Sequence, residues 1–170
     1  GRVKWSQDTK TDLAAGPGVG ASVVAVGTSD GKVVALDVAS GKVLWKMSVS
    51  SEVLAAPLVT GDRVIVRSVD GRVHALDALT GKSQWTGEEP VPKLSLRGTA
   101  PPVLAKDNVI AGFDSGKVIA FALATGDIVW QAQVTTPGGR SELARLADVD
   151  SAVQVDGNDY FVLTEQIDQA

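Results

Sequence analysis

Short apolar runs recur along the chain and alternate with turns of small and polar residues. In residues 23–26 and 33–36, apolar side chains stand at every position rather than at every second one. Such runs are typical of short strands that are buried on both faces. Because a sheet buried on both faces needs a neighbour on each side, the pattern predicts small sheets that pack face to face.

The apolar runs belong to a repeated unit. A turn ending in glycine precedes an apolar strand, a Ser-Gly or Thr-Gly turn follows it, and a tryptophan lies four residues beyond that second glycine. The unit occupies residues 30–45, 70–85 and 115–130. Its tryptophans, with the one at the chain start, are spaced by 40, 40 and 45 residues: Trp5, Trp45, Trp85 and Trp130. A fixed period of this length indicates a repeat architecture.

Each repeat is predicted to form four short strands joined by tight turns. The Asp-Gly pairs are strong hairpin signals, for which we expect positive φ at both central residues. We also expect Gly41 to adopt a left-handed conformation in the next turn. The structural glycines predicted for the first turn of each repeat are Gly31, Gly71 and Gly116.

Stacked four-stranded sheets predict an all-β fold, and the architecture that we expect is a β-propeller. A propeller is preferred to a solenoid of flat hairpins, because it leaves only short, protected strand edges. About three and a half blades of this partial propeller are expected: a blade tail at 1–5, blades at about 15–48, 54–86 and 100–134, and an incomplete blade at 151–163. Each tryptophan ring should pack between adjacent blades, with its indole N–H on a backbone acceptor. An incomplete ring exposes apolar surface, which predicts self-association or membership of a longer chain.

Composition narrows the classes of function. The 170-residue chain has a formal charge of −4, which argues against a nucleic-acid partner, and it contains no cysteine and one histidine, His74. Thiolate and histidine-rich metal sites are therefore not expected, and His74 is interpreted as a packing residue. The oxygen-rich stretch at 148–159 lacks the glycine and late glutamate of a calcium loop. Because no nucleophile or phosphate-binding motif is present, we expect a binding module without cofactor or metal rather than an enzyme.

Two segments interrupt the repeat, at residues 87–98 and 135–150. Both occupy the connection from one blade to the next, so we expect them to lie near each other on one face. Insertions on one face of a repeat protein commonly make its binding surface. Within the first segment, Leu94, Ser95, Leu96 and Arg97 have two interpretations: leucines tucked under a loop, or an exposed interface hot spot.

The repeat unit resembles the pyrroloquinoline-quinone-type propeller repeat, which quinoprotein dehydrogenases share with non-enzymatic scaffolds. Residues 94–98 and 145–150 resemble two characteristic loops of the BamB family, propeller lipoproteins of the outer-membrane β-barrel assembly machinery (BAM complex). This resemblance covers nearly all of residues 1–163 and implies about half of an eight-bladed ring. It also implies a lipid anchor on an N-terminal cysteine, which this chain does not contain.

The resemblance to the BamB family implies a scaffold at the periplasmic face of the outer membrane of a Gram-negative bacterium. The partners that it implies are the periplasmic POTRA domains of BamA, with unfolded outer-membrane protein clients as further candidates. The partner-binding positions carried over to this chain are Leu94, Ser95, Leu96, Arg97, Asp148 and Asp150.

Two other hypotheses stay open. A fragment of a quinoprotein dehydrogenase would need a quinone stacked on tryptophan and a calcium site, whereas every tryptophan here is explained by the repeat. A sheet-edge binder that captures extended strands by β-augmentation would need only exposed strand edges.

Overall fold

The computed structural model describes residues 1–90, 100–134, 147–148, 153–156, 159–161 and 165–166. These residues form strands and turns. They include no helix, and hence none long and apolar enough to cross a membrane. Three four-stranded antiparallel sheets contain most of the strand residues. The prediction of an all-β fold built from four-stranded repeats is confirmed.

Each sheet is a meander in which strands adjacent in sequence are adjacent in space. Blade 1 comprises β1 (Gly18–Val19), β2 (Val23–Gly27), β3 (Lys32–Asp37) and β4 (Val43–Ser48). Blade 2 comprises β5 (Leu58–Val59), β6 (Arg63–Arg67), β7 (Arg72–Asp77) and β8 (Ser83–Glu88). Blade 3 comprises β9 (Val103–Ala105), β10 (Asn108–Gly112), β11 (Lys117–Ala122) and β12 (Ile128–Gln133).

Four further short strands follow blade 3. β14 (Gln154–Asp156) pairs with β15 (Asp159–Phe161), and β13 (Ala147–Asp148) pairs with β16 (Glu165–Gln166), both antiparallel. The hairpin of β14 and β15 falls within the predicted incomplete fourth blade. β16 lies beyond residue 163, where the sequence pattern of the repeat ends, and it pairs with the connecting strand β13.

The hairpin between the second and third strands differs from the predicted two-residue turn. In blade 1, residues 28–31 join the strands, and the N–H of Gly31 donates to Thr28 O at 3.4 Å. Positive φ occurs at Gly31 (+73°) and not at Asp30, so the expectation of positive φ at both residues was wrong. The aspartate acts through its side chain, since Asp30 Oδ1 accepts from Thr28 Oγ1 at 2.6 Å. Gly41, predicted to be left-handed, has a φ of +71°.

The outer strand of each blade carries a β-bulge beside the tryptophan. In blade 1, Ala35 pairs with Trp45 and Leu36 pairs with Val43, so Leu44 has no partner on β3. The same register shift recurs in blades 2 and 3. Bulges increase local twist and redirect side chains, and they interrupt pairing along an exposed edge. The three outer strands therefore share one local geometry around their tryptophans.

The blades pack face to face, and their facing strand residues form the core. One apolar cluster combines Val33 and Ala35 of blade 1 with Val64 and Val66 of blade 2, all fully buried. A second cluster joins blade 2 to blade 3 in the same way. Burial on both faces explains why the apolar residues of β3 do not alternate with polar ones. The prediction of sheets buried on both faces is confirmed.

Each of the first three tryptophans contacts the next blade along the chain. Trp45 Nε1 donates to Ala78 O at 2.8 Å. Its ring lies on Gly81, where an added Cβ would be 2.7 Å from Trp45 Cδ2. Gly81 is thus required both for its φ of +71° and for its lack of a side chain. The equivalent contacts join Trp5 to Gly41 and Trp85 to Gly126.

We expect Gly81→Ala to lower the free energy of unfolding by about 2–4 kcal/mol, because the alanine would be strained at positive φ and would overlap the Trp45 ring. Gly61→Ala is the matched control, since no atom lies within 4 Å of an added Cβ there. Urea unfolding monitored by tryptophan fluorescence measures both variants. Equal losses in the two variants would contradict the tryptophan–glycine contact as a source of stability.

Candidate functional site

The two ends of the strands form two different faces of the propeller. We call one end the connector face: it carries the connections between blades and the hairpins at residues 28–31, 68–71 and 113–116. We call the other end the turn face, and it carries residues 38–42, 78–82 and 123–127. This division follows from the strand order, because successive strands of a meander reverse direction. The longer connection between blades 2 and 3 begins and ends at the connector face.

Most of the predicted partner-binding residues lie outside the described residues: Leu94, Ser95, Leu96, Arg97 and Asp150. The backbone of Asp148 lies in β13, where it pairs with Glu165 of β16. The assignment of these residues to partner binding therefore stays a prediction. The described residues around the connections show how the connector face is built.

The connection from blade 1 to blade 2 is short and closely packed. Val53 is fully buried beside Gly27, where an added Cβ would lie 2.4 Å from Val53 Cγ1. The N–H of Val49 donates to Gly31 O at 2.8 Å, and the N–H of Val53 donates to Thr28 O at 3.1 Å. Apolar packing and main-chain hydrogen bonds thus hold this connection against blade 1.

A polar cluster around His74 lies at the same junction. His74 Nε2 is 3.1 Å from Ser50 Oγ and 3.2 Å from Ser68 Oγ, and Ser68 Oγ donates to Asp70 Oδ1 at 2.5 Å. Burial lowers the pKa of His74, while Asp70 opposes this shift and Arg72 reinforces it. The Asp70 carboxylate contacts the serine rather than the imidazole, so these residues do not have the order of a hydrolytic triad. The geometry agrees with the interpretation of His74 as a packing residue.

The lowered pKa of His74 predicts that stability depends on pH. In the unfolded chain its pKa returns to about 6.5, so the unfolded state binds the proton first as the pH falls. The free energy of unfolding should therefore decrease between about pH 7.5 and about pH 5.5. His74→Gln, which removes this titration, should flatten the profile. Urea unfolding at each pH tests this, and superimposable profiles would show that His74 is not the source.

The junction between blades 2 and 3 is built from charged and aromatic side chains. Arg67, at the end of β6, forms an ion pair with Asp114 of blade 3, and both side chains are 3% exposed. The guanidinium carbon lies 5.5 Å from the ring centroid of Phe113. Phe113 meets Phe121 edge-on at 6.4 Å, and Phe121 stacks with Trp85 at 6.1 Å. One continuous cluster therefore crosses this junction.

A second ion pair crosses the same junction where the longer connection begins. Lys117 Nζ of blade 3 donates to Glu89 Oε1 at 2.8 Å, and the glutamate side chain is 10% exposed. The N–H of Glu89 donates to Gly71 O at 2.9 Å. Glu89 is thus held by its own blade through the main chain and by the next blade through its carboxylate.

The charged residues of this junction were not singled out from the sequence. Aligning the three repeats provides the necessary signal. Glu89 stands where the other two repeats have valine, and Arg67 stands where they have glycine. A charged residue at a small or apolar position of a repeat marks a junction that differs from its neighbours.

The stacked blades and their tryptophan contacts define the class of protein: part of a β-propeller with pyrroloquinoline-quinone-type blades, of which about three are present. A family model described as "Outer membrane protein assembly factor BamB" matches residues 1–167. The chain belongs to this BamB family. The family resemblance inferred from the repeat and its two interruptions is confirmed.

Individual relatives support the assignment. The assembly factor BamB of Legionella pneumophila (strain Paris) is 51% identical over 166 residues, which cover 98% of this chain and 43% of that protein. The crystal structure of BamB from Moraxella catarrhalis matches with a TM-score of 0.89 at 31% identity, over 94% of this chain and 49% of that one. The chain thus spans less than half the length of these relatives. A europium-containing methanol dehydrogenase matches with a TM-score of 0.69 at 22% identity, over 91% of this chain and 35% of that one, which shows a shared fold alone.

Proposed function

We propose that this chain is part of a non-enzymatic scaffold that assists outer-membrane protein assembly within the BAM complex. The observation that carries the proposal is the family match over residues 1–167, together with 51% identity to the Legionella assembly factor. The fold suits a scaffold, because blades stacked through buried contacts support connections at one face. Binding residues of repeat proteins commonly occupy such connections.

The proposed partners are the POTRA domains of BamA, bound through the longer connections. Two leucines and an arginine have the composition of an interface hot spot, in which a few buried anchors supply most of the binding energy. Asp148 or Asp150 of the second connection would orient Arg97, or Arg97 would leave these aspartates and pair with a carboxylate of the partner. Either contact would be a charge-assisted hydrogen bond. The proposed contact residues are Leu94, Ser95, Leu96, Arg97, Asp148 and Asp150.

The proposed location is the periplasmic face of the outer membrane of a Gram-negative bacterium, with the full-length protein attached through a lipid anchor. The names of the bacterial relatives support an association with outer-membrane assembly. Unfolded outer-membrane protein clients are further proposed ligands, since strand-forming segments suit the exposed strand edges of a propeller.

The comparisons do not favour the alternative of a quinoprotein dehydrogenase fragment. Structures of that class share the fold at 22% identity, whereas the assembly factor of Legionella shares 51%. Titration with pyrroloquinoline quinone and calcium distinguishes the two proposals. Saturable quenching of tryptophan fluorescence at micromolar quinone would revive the enzyme hypothesis.

We expect Leu96→Ala and Arg97→Ala each to weaken binding to purified BamA POTRA domains by about 1–3 kcal/mol, the range of hot-spot residues. Thermal stability should change little, because each substitution removes contacts made with the partner. Isothermal titration calorimetry measures the affinity, and a thermal melt of the free protein measures the stability.

Matched controls for this experiment lie at the turn face of blade 2. Leu79 is 68% exposed, and Lys82 is exposed in the same turn, so alanine at either position removes a comparable side chain far from the connections. Both controls should bind as the wild type does. The interface role would be wrong if Arg97→Ala unfolded the protein while its remaining folded fraction bound normally.

A further inference from the structure

The cluster around His74 replaces apolar packing at the junction between blades 1 and 2. His74 is the third residue of β7, and it is 8% exposed. At the same position, β3 carries Val34 and β11 carries Ile119, both fully buried. A titratable ring therefore stands where the repeat otherwise places an aliphatic side chain. Packing alone does not require a histidine here, because an aliphatic residue would need no hydrogen-bond partners.

The ring of His74 joins three segments of the chain. Its Nε2 lies 3.1 Å from Ser50 Oγ in the connection between the blades, and its Nδ1 lies 3.4 Å from Thr86 Oγ1 in β8. Ser68 Oγ of the hairpin lies 3.2 Å from Nε2, but this hydroxyl donates its hydrogen to Asp70. The neutral ring with its hydrogen on Nδ1 fits these contacts, because it donates to Thr86 and accepts from Ser50. The direction of the bond to the connection therefore depends on the protonation of Nε2.

Protonation of His74 reverses its contact with Ser50. Nε2 then donates a hydrogen, so the Ser50 hydroxyl loses its acceptor and a positive charge enters a largely buried site. Burial is the strongest influence on the ring and lowers the pKa of His74, while Asp70 opposes this shift and Arg72 reinforces it. The charged ring is therefore better accommodated where water reaches it.

The other charged groups of the neighbouring elements are engaged in contacts of their own. In the connection, Glu52 Oε2 accepts from Ser51 Oγ, and on β8 the Glu88 carboxylate lies 3.2 Å from Arg72 Nε. Blade 1 contributes apolar side chains to this junction. Asp70 supplies the attraction for a charged ring, and burial outweighs it.

The main-chain hydrogen bonds show how water reaches the ring without the unfolding of a blade. The connection is bound to blade 1 through the N–H groups of Val49 and Val53. The hairpin of blade 2 contacts the connection through the N–H of Val69, which donates to Glu52 O at 3.0 Å. Separating residues 50–52 from this hairpin breaks the contacts with blade 2 and leaves the two bonds with blade 1 intact.

We propose that His74 is a pH-sensitive switch between the connection at residues 50–52 and the hairpin at residues 68–71. The neutral ring keeps the two segments together. Protonation separates them, while blades 1 and 2 stay packed through their apolar cluster and the Trp45 contact. The connector face therefore changes shape at this junction as the pH falls. The inference concerns the free protein and does not depend on the partner proposed above.

The first test follows the ring itself and needs no variant. His74 is the single histidine of the chain, so an NMR titration of the ¹⁵N-labelled protein reports on this ring alone. The ring should carry its hydrogen on Nδ1 at neutral pH, and its pKa should lie below the usual value of about 6.5. A hydrogen on Nε2 at neutral pH would remove the bond accepted from Ser50 and overturn the switch.

The second test measures the opening by hydrogen exchange of the Val69 amide. The ring titrates near its usual pKa once it is open to water, so the open population should rise by up to about tenfold between pH 7.5 and pH 5.5. Protection of Val69, corrected for the pH dependence of intrinsic exchange, should fall by that factor. Low concentrations of urea should leave this exchange unchanged, because a local opening exposes little surface.

The amide of Val53 is the internal reference, since it stays bonded to Thr28 O in the open form. At pH 5.5 it should be more strongly protected than the amide of Val69. Equal protection and equal urea dependence of the two amides would mean that global unfolding alone responds to pH. That result, or a protection of Val69 that does not change with pH, would overturn the switch.

Two variants assign the opening to the histidine and its serine. His74→Val introduces the residue that blade 1 carries at this position, and Val69 should then be equally protected at both pH values. Ser50→Ala removes the contact without changing the ring, and it should lower the protection of Val69 at pH 7.5 by about two- to tenfold. Ser48→Ala, at an exposed position of β4, is the matched control and should leave that protection unchanged. A pH dependence that survives in His74→Val, or unchanged protection in Ser50→Ala, would contradict the proposal.

Discussion

The contact between a tryptophan ring and the glycine of the next blade is the constraint on which the rest of the structure depends. The indole N–H of Trp45 reaches the carbonyl of Ala78, and the ring covers Gly81, where no side chain fits. The bulge in each outer strand recurs because the ring must be directed towards the next blade. One contact, repeated, therefore sets the spacing of the blades, and the meander order of the strands brings their connections to one end of the propeller.

The fold was predictable from the sequence because the same pattern of strands, turns and tryptophan occurs three times. Period, strand pattern and turn residues all indicated stacked four-stranded sheets, and the structure and the family comparison agree. The error at the Asp-Gly turns has a local cause. A dipeptide rule assumed a two-residue loop, whereas the side-chain hydrogen bond from Thr28 to Asp30 stabilises a four-residue connection.

The candidate site was predictable only in part. The interruptions of the period predicted that the connections share one face, and the strand order places the ends of the described connections at one end of the blades. The charged junction between blades 2 and 3 was not predicted, because pairs such as Arg67 with Asp114 join residues far apart in the chain. Strand periodicity carries no information about such contacts. Comparison of equivalent positions between repeats does carry it, as the glutamate at position 89 shows.

Under the proposed function, the regular and irregular parts of the chain have separate tasks: the repeat builds the support, and the connections bind the partner. Hydrogen exchange of the chain, free and bound to the BamA POTRA domains, tests this division most directly. We predict that added protection is confined to residues 87–102 and 135–150, with residues 38–42 and 78–82 at the turn face unchanged. Protection concentrated at the turn face, with the connections unaffected, would contradict the division.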